Sequence, residues 1–271
     1  MRVAVLGDVH ANAAALTAAL AAADATGYDR LVFLGDLLTY GVDVQQSLEI
    51  IHGRMGDGRA VVLLGNHDAI YRDILSGRDS SYAARLPAWI RESVDWTVDR
   101  IRDSHWHELQ FEQDVTIAGI VFSHANPFGP EQWMYLNTED EHFHAALKLR
   151  DRGASVGVFG HTHRIKWYSL NGDVGAFRAH LSGAVDDGAV HILNAGAVGQ
   201  PRDPLEVSPS VLWLNVDVDS GRGSARSFER QMFEYDVGSH LRNIQRSGLS
   251  TATVSRLVDF FPQVVGSNEM P

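Results

Sequence analysis

Eight residues of this chain have side chains able to bind metal or move protons, and they sit in short, similar contexts. Asp8 and His10 fall in "GDVH", Asp36 in "GDLL", Asn66 and His67 in "GNHD", His124 in "SH", and His161 and His163 in "GHTH". Carboxylate, amide and imidazole are oxygen and nitrogen donors suited to borderline divalent ions. Seven of them (two Asp, one Asn and four His) are too many for one ion and fit two ions sharing a carboxylate. Side chains two apart in an extended segment point to the same side, so Asp8/His10 and His161/His163 are each expected to aim both members at one place. Spacing alone does not single them out, because the chain has 13 histidines and H-x-H recurs at His105/His107 and His142/His144. Both of those pairs lie in stretches expected to be helical, where positions i and i+2 do not face one another. His105 is read as structural, and His142 and His144 as helix surface. His52, His180, His191 and His240 are read as ordinary surface or core residues.

The donors share a second property: each follows an apolar run. "RVAVLGD", "RLVFLGD" and "AVVLLGN" are Val- and Leu-rich and end in Gly followed by Asp or Asn. Such runs predict strands buried on both faces. The Ala-rich stretch closed by Gly27 and "DVQQSLEIIHG" closed by Gly53 predict helices between them. The resulting βαβαβ unit has its functional edge at the carboxyl ends of its strands. "VTIAGIVFSH" and "VGVFGHTH" add two more strands with polar tips. Between them "NTEDEHFHAALKLRDRG" predicts a helix capped by Asn137 or Thr138 and stopped by Gly153. Ile90, Val94, Val98 and Ile101 make a helical stripe inside a region of helical character from about 79 to 109. After His163 the pattern is antiparallel β, with a turn at Asn171-Gly172-Asp173, then one amphipathic helix at about 237–261. With no linker in between, residues 1–271 are expected to form one domain.

Composition narrows the function classes. The formal charge is −11, against the basic patches of proteins that coat nucleic acid. Extended nucleic acid is therefore not expected as a partner, whereas a phosphorylated substrate is compatible, since bound cations reverse the local sign. Cysteine is absent, which removes disulfides and thiolate metal sites and fits a cytoplasmic protein. Asp8, His10 and Asn12 interrupt the one stretch that resembles a secretory signal, and no stretch reaches the ~18 apolar residues of a membrane span.

Taken in order, "GDVH", "GDLL", "GNHD", "SH" and "GHTH" resemble the five-motif signature of the calcineurin-like metallophosphoesterases. The resemblance runs from Arg2 to about Asp203, and "LNAGAVGQPRD" is similar to a stretch of the small bacterial and archaeal members. It implies an α/β (α+β) fold: a four-layer αββα sandwich of two mixed β-sheets with the site at the strand tips. It further implies that Asp8, His10 and His163 bind one ion and Asn66, His124 and His161 a second, with Asp36 bridging. The ions would be Mn, Fe, Zn or Ni, with Mn favoured. His67 would face the phosphate as general acid or transition-state stabiliser, beside a metal-bridging hydroxide attacking in line. Asp68 is read either as an orienter of His67 or as a helix cap.

The chain departs from the family pattern in places. Ser/Thr phosphatases and diadenosine tetraphosphate hydrolases of the superfamily carry Asp-Arg-Gly after the bridging Asp, where this chain has "GDLLTYG". Their phosphate-gripping arginine is missing. Ala125, Ala195 and Ala197 replace a Gly, a Pro and a Ser of the pattern. Arg202 is the candidate to contact phosphate in place of that arginine, its alternative role being a surface salt bridge, and Asn12 either contacts phosphate or caps the first helix. The implied activity is hydrolysis of small phosphorylated or nucleotide substrates. The alternatives are a phosphodiesterase on cyclic nucleotides or nucleic-acid ends, a protein phosphatase, and a non-catalytic scaffold of the same fold. The 79–109 region and "NPFGPEQWMYL" are candidates to cover the site, with Trp133 and Tyr135 read first as core fillers and otherwise as rings that stack on a base.

Overall fold

The computed structural model describes residues 1–80, 82–179, 181–186, 188–202, 208–218 and 224–261. His180 and Asp203 lie outside these residues. The first third alternates strand and helix: β1 (Arg2–Leu6), α1 (Ala13–Thr26), β2 (Arg30–Phe33), α2 (Val44–Met55), β3 (Ala60–Leu63) and α3 (Asn66–Leu75). A 3-10 turn at Ala83–Arg85, α4 (Ala88–Ile101) and a second 3-10 turn at His105–Glu108 follow. Next come β4 (Phe111–Glu112), β5 (Asp114–Ile117), β6 (Ile120–Ser123), α5 (Glu139–Asp151) and β7 (Val156–Phe159). The last third holds β8 (Ile165–Asn171), β9 (Val174–Phe177), β10 (Ser182–Ala184), β11 (Ala189–Ala195), β12 (Ser210–Asp217), β13 (Ser224–Met232), α6 (Val237–Gln245) and α7 (Thr251–Val258).

Two mixed sheets result, in the orders β10-β13-β12-β1-β2-β3-β4 and β5-β6-β7-β11-β8-β9. In the first, β1, β2 and β3 run parallel, with Val5 opposite Val32 and Val32 opposite Val61. In the second, β6, β7 and β11 run parallel. The continuous apolar runs are explained by burial on both strand faces. Val3, Val5, Val32 and Leu34 meet Phe122, Val156, Val158 and Leu193 between the sheets. The alternate residues Ala4, Leu6, Leu31 and Phe33 pack against Leu16, Leu20, Leu48 and Ile51 of the helices outside the first sheet. On the far side Val121, Phe159 and Ile192 pack on Ala145, Ala146 and Leu149 of α5. These layers are the expected αββα sandwich, and its carboxyl strand ends from both sheets point to one edge.

Some local expectations changed. The C-terminal stretch is two helices, separated where Gly248 takes φ 83°. The Ile90–Ile101 stripe stops with α4, and His105 lies half-exposed in the 3-10 turn beyond it. His142 is buried, bonded to the Thr138 carbonyl at 2.7 Å and packed on Tyr168 and Phe177, while His144 is exposed as expected. Thr138 makes a reciprocal capping box with Glu141. Among the described residues no helix is long and apolar enough to cross a membrane.

Candidate metal centre

The strand tips do not stay extended. Asp8, His10, Asp36, His161 and His163 have φ values of 49°, 48°, 51°, 66° and 57°, the left-handed region that costs a side-chain-bearing residue about 1–2 kcal/mol each. The donors therefore converge through tight left-handed turns and not through the side-chain alternation of a strand. Hydrogen bonds between tips hold these turns. His10 N–H donates to the Asp36 carbonyl at 2.9 Å, Gly160 N–H to the His124 carbonyl at 2.8 Å, and Arg202 N–H to the His163 carbonyl at 3.0 Å. The His67 amide donates to Asp36 Oδ1 at 2.8 Å, and the His161 amide reaches both oxygens of Asp8 at 3.1 Å. Two glycines make this closeness possible. A Cβ on Gly65 would strike Asp36 Oδ1, and one on Gly160 would come within 2.6 Å of Asp8 Oδ2.

All seven predicted ligand residues and His67 are brought together, each less than 5% exposed. The ligand atoms fall into two groups within 4.8 Å: Asp8, His10, Asp36 and His163, and Asp36, His124 and His161. Asn66 joins the second, its Oδ1 2.9 Å from His124 Nε2. Asp36 is common to both, with Oδ2 3.9 Å from His10 Nε2 and 3.5 Å from His124 Nε2. His161 and His163, one residue apart, go to different groups.

The imidazole tautomers follow from the partners. A backbone carbonyl only accepts, so a ring nitrogen facing one carries the proton. His10 Nδ1 faces the Leu38 carbonyl (2.9 Å), His163 Nδ1 that of Gln200 (2.8 Å), His124 Nδ1 that of Leu34 (2.8 Å) and His161 Nε2 that of Trp133 (3.1 Å). Every opposite nitrogen points inward, the arrangement found where outer partners orient histidine ligands. His10 Nε2 and His163 Nε2 then oppose lone pairs at 3.0 Å. That repulsive contact is close to the spacing of two nitrogens bound to one ion at about 2.1 Å. A buried donor set of this kind fits a divalent cation.

Electrostatics agree. Burial depresses His10 and His161 to about 3, and burial together with Arg202 and His10 holds His163 well below its usual value. These three are neutral, the form that binds metal. His124 differs. Burial acts to lower it, but the carboxylates of Asp36 and Asp8 outweigh burial and raise it to about 9. Burial likewise acts to raise Asp36, yet His124, His67 and His10 hold it well below the carboxylate range. Asp8 is pushed up to about 7, chiefly by burial. In the metal-free protein a proton on His124 stands where the second group would hold a cation.

The remaining predicted residues separate. Asn12 caps α1 through Ala15 N–H (3.0 Å), and its amide hydrogens go to the Gly199 carbonyl and the Tyr235 hydroxyl. Fully buried and engaged, it is a cap and has no donor left for substrate. Asp68 accepts from the Gly65 and Leu37 amides at 3.0 Å, so it caps α3 and does not orient His67. Arg202 lies beside the first group, bonded to Gln200 Oε1, with its Cζ 5.4 Å from the Tyr40 ring centroid and 5.1 Å from that of Phe260. Tyr135 is 41% exposed and stacks on His161 at 4.0 Å, so it is no core filler. Two residues were missed: Tyr40, 3.2 Å from His67 Nε2, and Tyr82, whose hydroxyl accepts from Asn66 at 2.9 Å. The signal for Tyr40 was its place before Gly41, where the related enzymes have arginine. Tyr82 had none.

Comparison with known proteins bears on the family and the fold. The calcineurin-like phosphoesterase superfamily domain matches residues 1–219. Over 255 residues the chain is 30% identical to the uncharacterized protein MJ0912 of Methanocaldococcus jannaschii, spanning 91% of this chain and 93% of that one. Its fold is similar to that of a metallophosphoesterase from Sphaerobacter thermophilus, with TM-score 0.70 and 24% identity over 96% of this chain and 99% of that one. It is also similar to the hypothetical protein PH1004 from Pyrococcus horikoshii OT3, with TM-score 0.68 and 15% identity over 94% and 97% of the two chains.

Proposed function

This chain belongs to the calcineurin-like phosphoesterase superfamily, and from that premise we propose that it hydrolyses small phosphate esters with two divalent ions, Mn²⁺ first among them. The observation that carries this reading is the set of four inward ring nitrogens, each with its opposite nitrogen tied to a carbonyl, arranged on both sides of Asp36. Asp8, His10 and His163 would hold one ion, Asn66, His124 and His161 the other, and Asp36 both. When bound, such a pair of ions lowers the pKa of water toward neutrality and offsets the charge gathering on the phosphoryl oxygens. The protein's own residues do the rest. Arg202 grips a phosphoryl oxygen with a charge that cannot be titrated away. His67, pushed down to about 4 by burial, stands against the phosphate as a neutral ring and donates a hydrogen bond to the departing oxygen. The inter-tip hydrogen bonds fix every donor before substrate arrives, so little reorganisation remains.

The test is metal analysis of protein purified without added metal, together with hydrolysis of p-nitrophenyl phosphate and bis-p-nitrophenyl phosphate in Mn²⁺. Two ions per chain and turnover of at least one ester are expected. No metal and no turnover of either would refute the reading and leave the scaffold alternative. The ratio of the two rates separates monoesterase from diesterase.

A further inference from the structure

The stretch "GDLLTYG" lacks the arginine of the related enzymes, and the residue in its place has unusual company. The Tyr40 hydroxyl lies 3.2 Å from His67 Nε2, and the ring centroids are 5.0 Å apart. Arg202 lies against the same phenol, its Cζ 5.4 Å from the ring centroid. Burial pushes His67 down to about 4, so its ring is neutral and one of its nitrogens is a bare acceptor. The Tyr40 hydroxyl can send its hydrogen to that lone pair on Nε2. That leaves the His67 proton on Nδ1, which is buried and has no partner in the protein.

Tyr40 does not hold this position alone. Its φ is 66°, following Thr39 at 74°, and its amide donates to Ser93 Oγ of α4 at 3.2 Å. Trp89 of α4 and Phe260 beyond α7 lie 5.8 and 6.2 Å from its ring. Phe260 also lies against Arg202, its ring centroid 5.1 Å from Cζ. The 79–109 region and the C-terminal helices thus meet at one side chain at the edge of the metal centre.

We propose that Tyr40 is a positioning residue that links Arg202 to His67, so that phosphate capture by Arg202 and the chemistry at His67 act as one unit held by α4 and the segment after α7. This rests on the phosphoesterase reading above. It supplies from a second direction what the missing arginine supplies elsewhere: a guanidinium reaching the phosphate from the loop after β11, stacked on the ring that stands in the arginine's place.

Two substitutions divide the roles of the side chain. Tyr40→Phe keeps the ring under Arg202 and removes the hydroxyl; it should lower kcat about 10–100-fold, as loss of a supporting hydrogen bond does, with KM and both ions retained. Tyr40→Ala also removes the stacking surface and should raise KM as well. On a His67→Ala background Tyr40→Phe should cost nothing further, because residues acting as a unit are not additive. Nitrogen-15 shifts of the His67 ring in the Zn²⁺-loaded protein, assigned by difference with His67→Gln, should report the Nδ1–H tautomer in the wild type and its loss in Tyr40→Phe. Unchanged kcat in Tyr40→Phe, additive losses with His67→Ala, or an unchanged His67 tautomer would each overturn the proposal. An inactive wild type would instead remove the phosphoesterase reading, and the tautomer measurement would still decide the link between Tyr40 and His67.

Discussion

Among the described residues, two regions bring histidines and a carboxylate within ligand distance, and they differ in everything except that distance. At the strand tips the donors are buried, the outer ring nitrogens are tied to carbonyls, and the inner nitrogens of His10 and His163 turn lone pairs on each other at 3.0 Å. At His52, His105 and Glu108 the ligand atoms are also within 4.8 Å. There the side chains are 36%, 42% and 56% exposed, and Glu108 already accepts from His105 Nδ1 at 2.8 Å and lies 3.1 Å from His52 Nε2. The two rings stack at 4.3 Å with 8° between their planes. An imidazole binds metal in its own plane, and stacked parallel planes do not converge on one ion. Proximity of donors is common on a charged surface. A ligand set is marked by lone pairs held where nothing else can satisfy them.

The most severe way to test this contrast is to remove the carboxylate from each region. Asp36→Asn keeps the volume but puts an amide between two groups that both need a negative charge. It should lose both ions and suppress hydrolysis by more than the ~10²–10⁴-fold contributed by a proton-transferring group. Glu108→Gln should leave metal content and rate unchanged. Metal analysis of the two variants side by side decides it; one ion retained in full by Asp36→Asn would show that Asp36 does not bridge.

His67→Ala sharpens the division inside the buried region. His67 sits beside Asn66 but contributes no nitrogen to either group. Both ions should remain and kcat should fall ~10²–10⁴-fold, measured with p-nitrophenyl phosphate. Loss of metal to the extent seen with the ligand variants would place His67 among the ligands.

A smaller effect concerns protons. His124 is raised from 6.5 to about 9, so its protonated form stabilises the metal-free fold at low pH and that stabilisation is lost as pH rises from about 6.5 to 9. Asp8, raised to about 7, loses its contribution between about 4 and 7. His10 and His161, depressed to about 3, act oppositely and destabilise the fold as pH falls below 6.5. Metal must displace the protons of His124 and Asp8. Calorimetric titration at pH 7 in buffers of different ionisation enthalpy should show release of about one to two protons, vanishing above pH 9. The Tm of the metal-free protein should fall between pH 6.5 and 9, and that of the loaded protein should stay flat over the same range. Proton release independent of pH would contradict a protonated His124.

The strands were legible because a strand buried on both faces must be an unbroken apolar run, and four of the five runs that carry donors end at Gly followed by a polar residue. The donors were legible for the same reason, since they all sit one to four residues past those runs. The backbone that aims them was not. Left-handed φ at Asp8, Asp36 and His161 is imposed by hydrogen bonds to residues more than 25 positions away or by a packed glycine, and local propensity carries no trace of it. Tyr40 and Tyr82 act through contacts made by the loop after β2 and the 79–109 region, which only the tertiary fold brings to the tips. The buried position of His142 depended in the same way on Tyr168 and Phe177 arriving from the β8–β9 hairpin.

The smallest expected effect completes the contrast. His52→Ala and His105→Ala each remove one ring from an exposed stack whose partners are free to turn to water. Exposed ion pairs of this type contribute ~0–1 kcal/mol, and surface substitutions away from caps and cores stay within about 0.5 kcal/mol. Stability by denaturant titration should therefore move by no more than that, and metal stoichiometry and kcat should not move at all. The same replacement at His10 exposes what differs: a buried cavity, a lost ligand and an uncompensated Asp36 beside it. If His52→Ala lowered the metal content by one ion, donor proximity alone would be enough to hold metal on this surface. The carbonyl tethers of the buried set would then orient the ligands without being what selects the site.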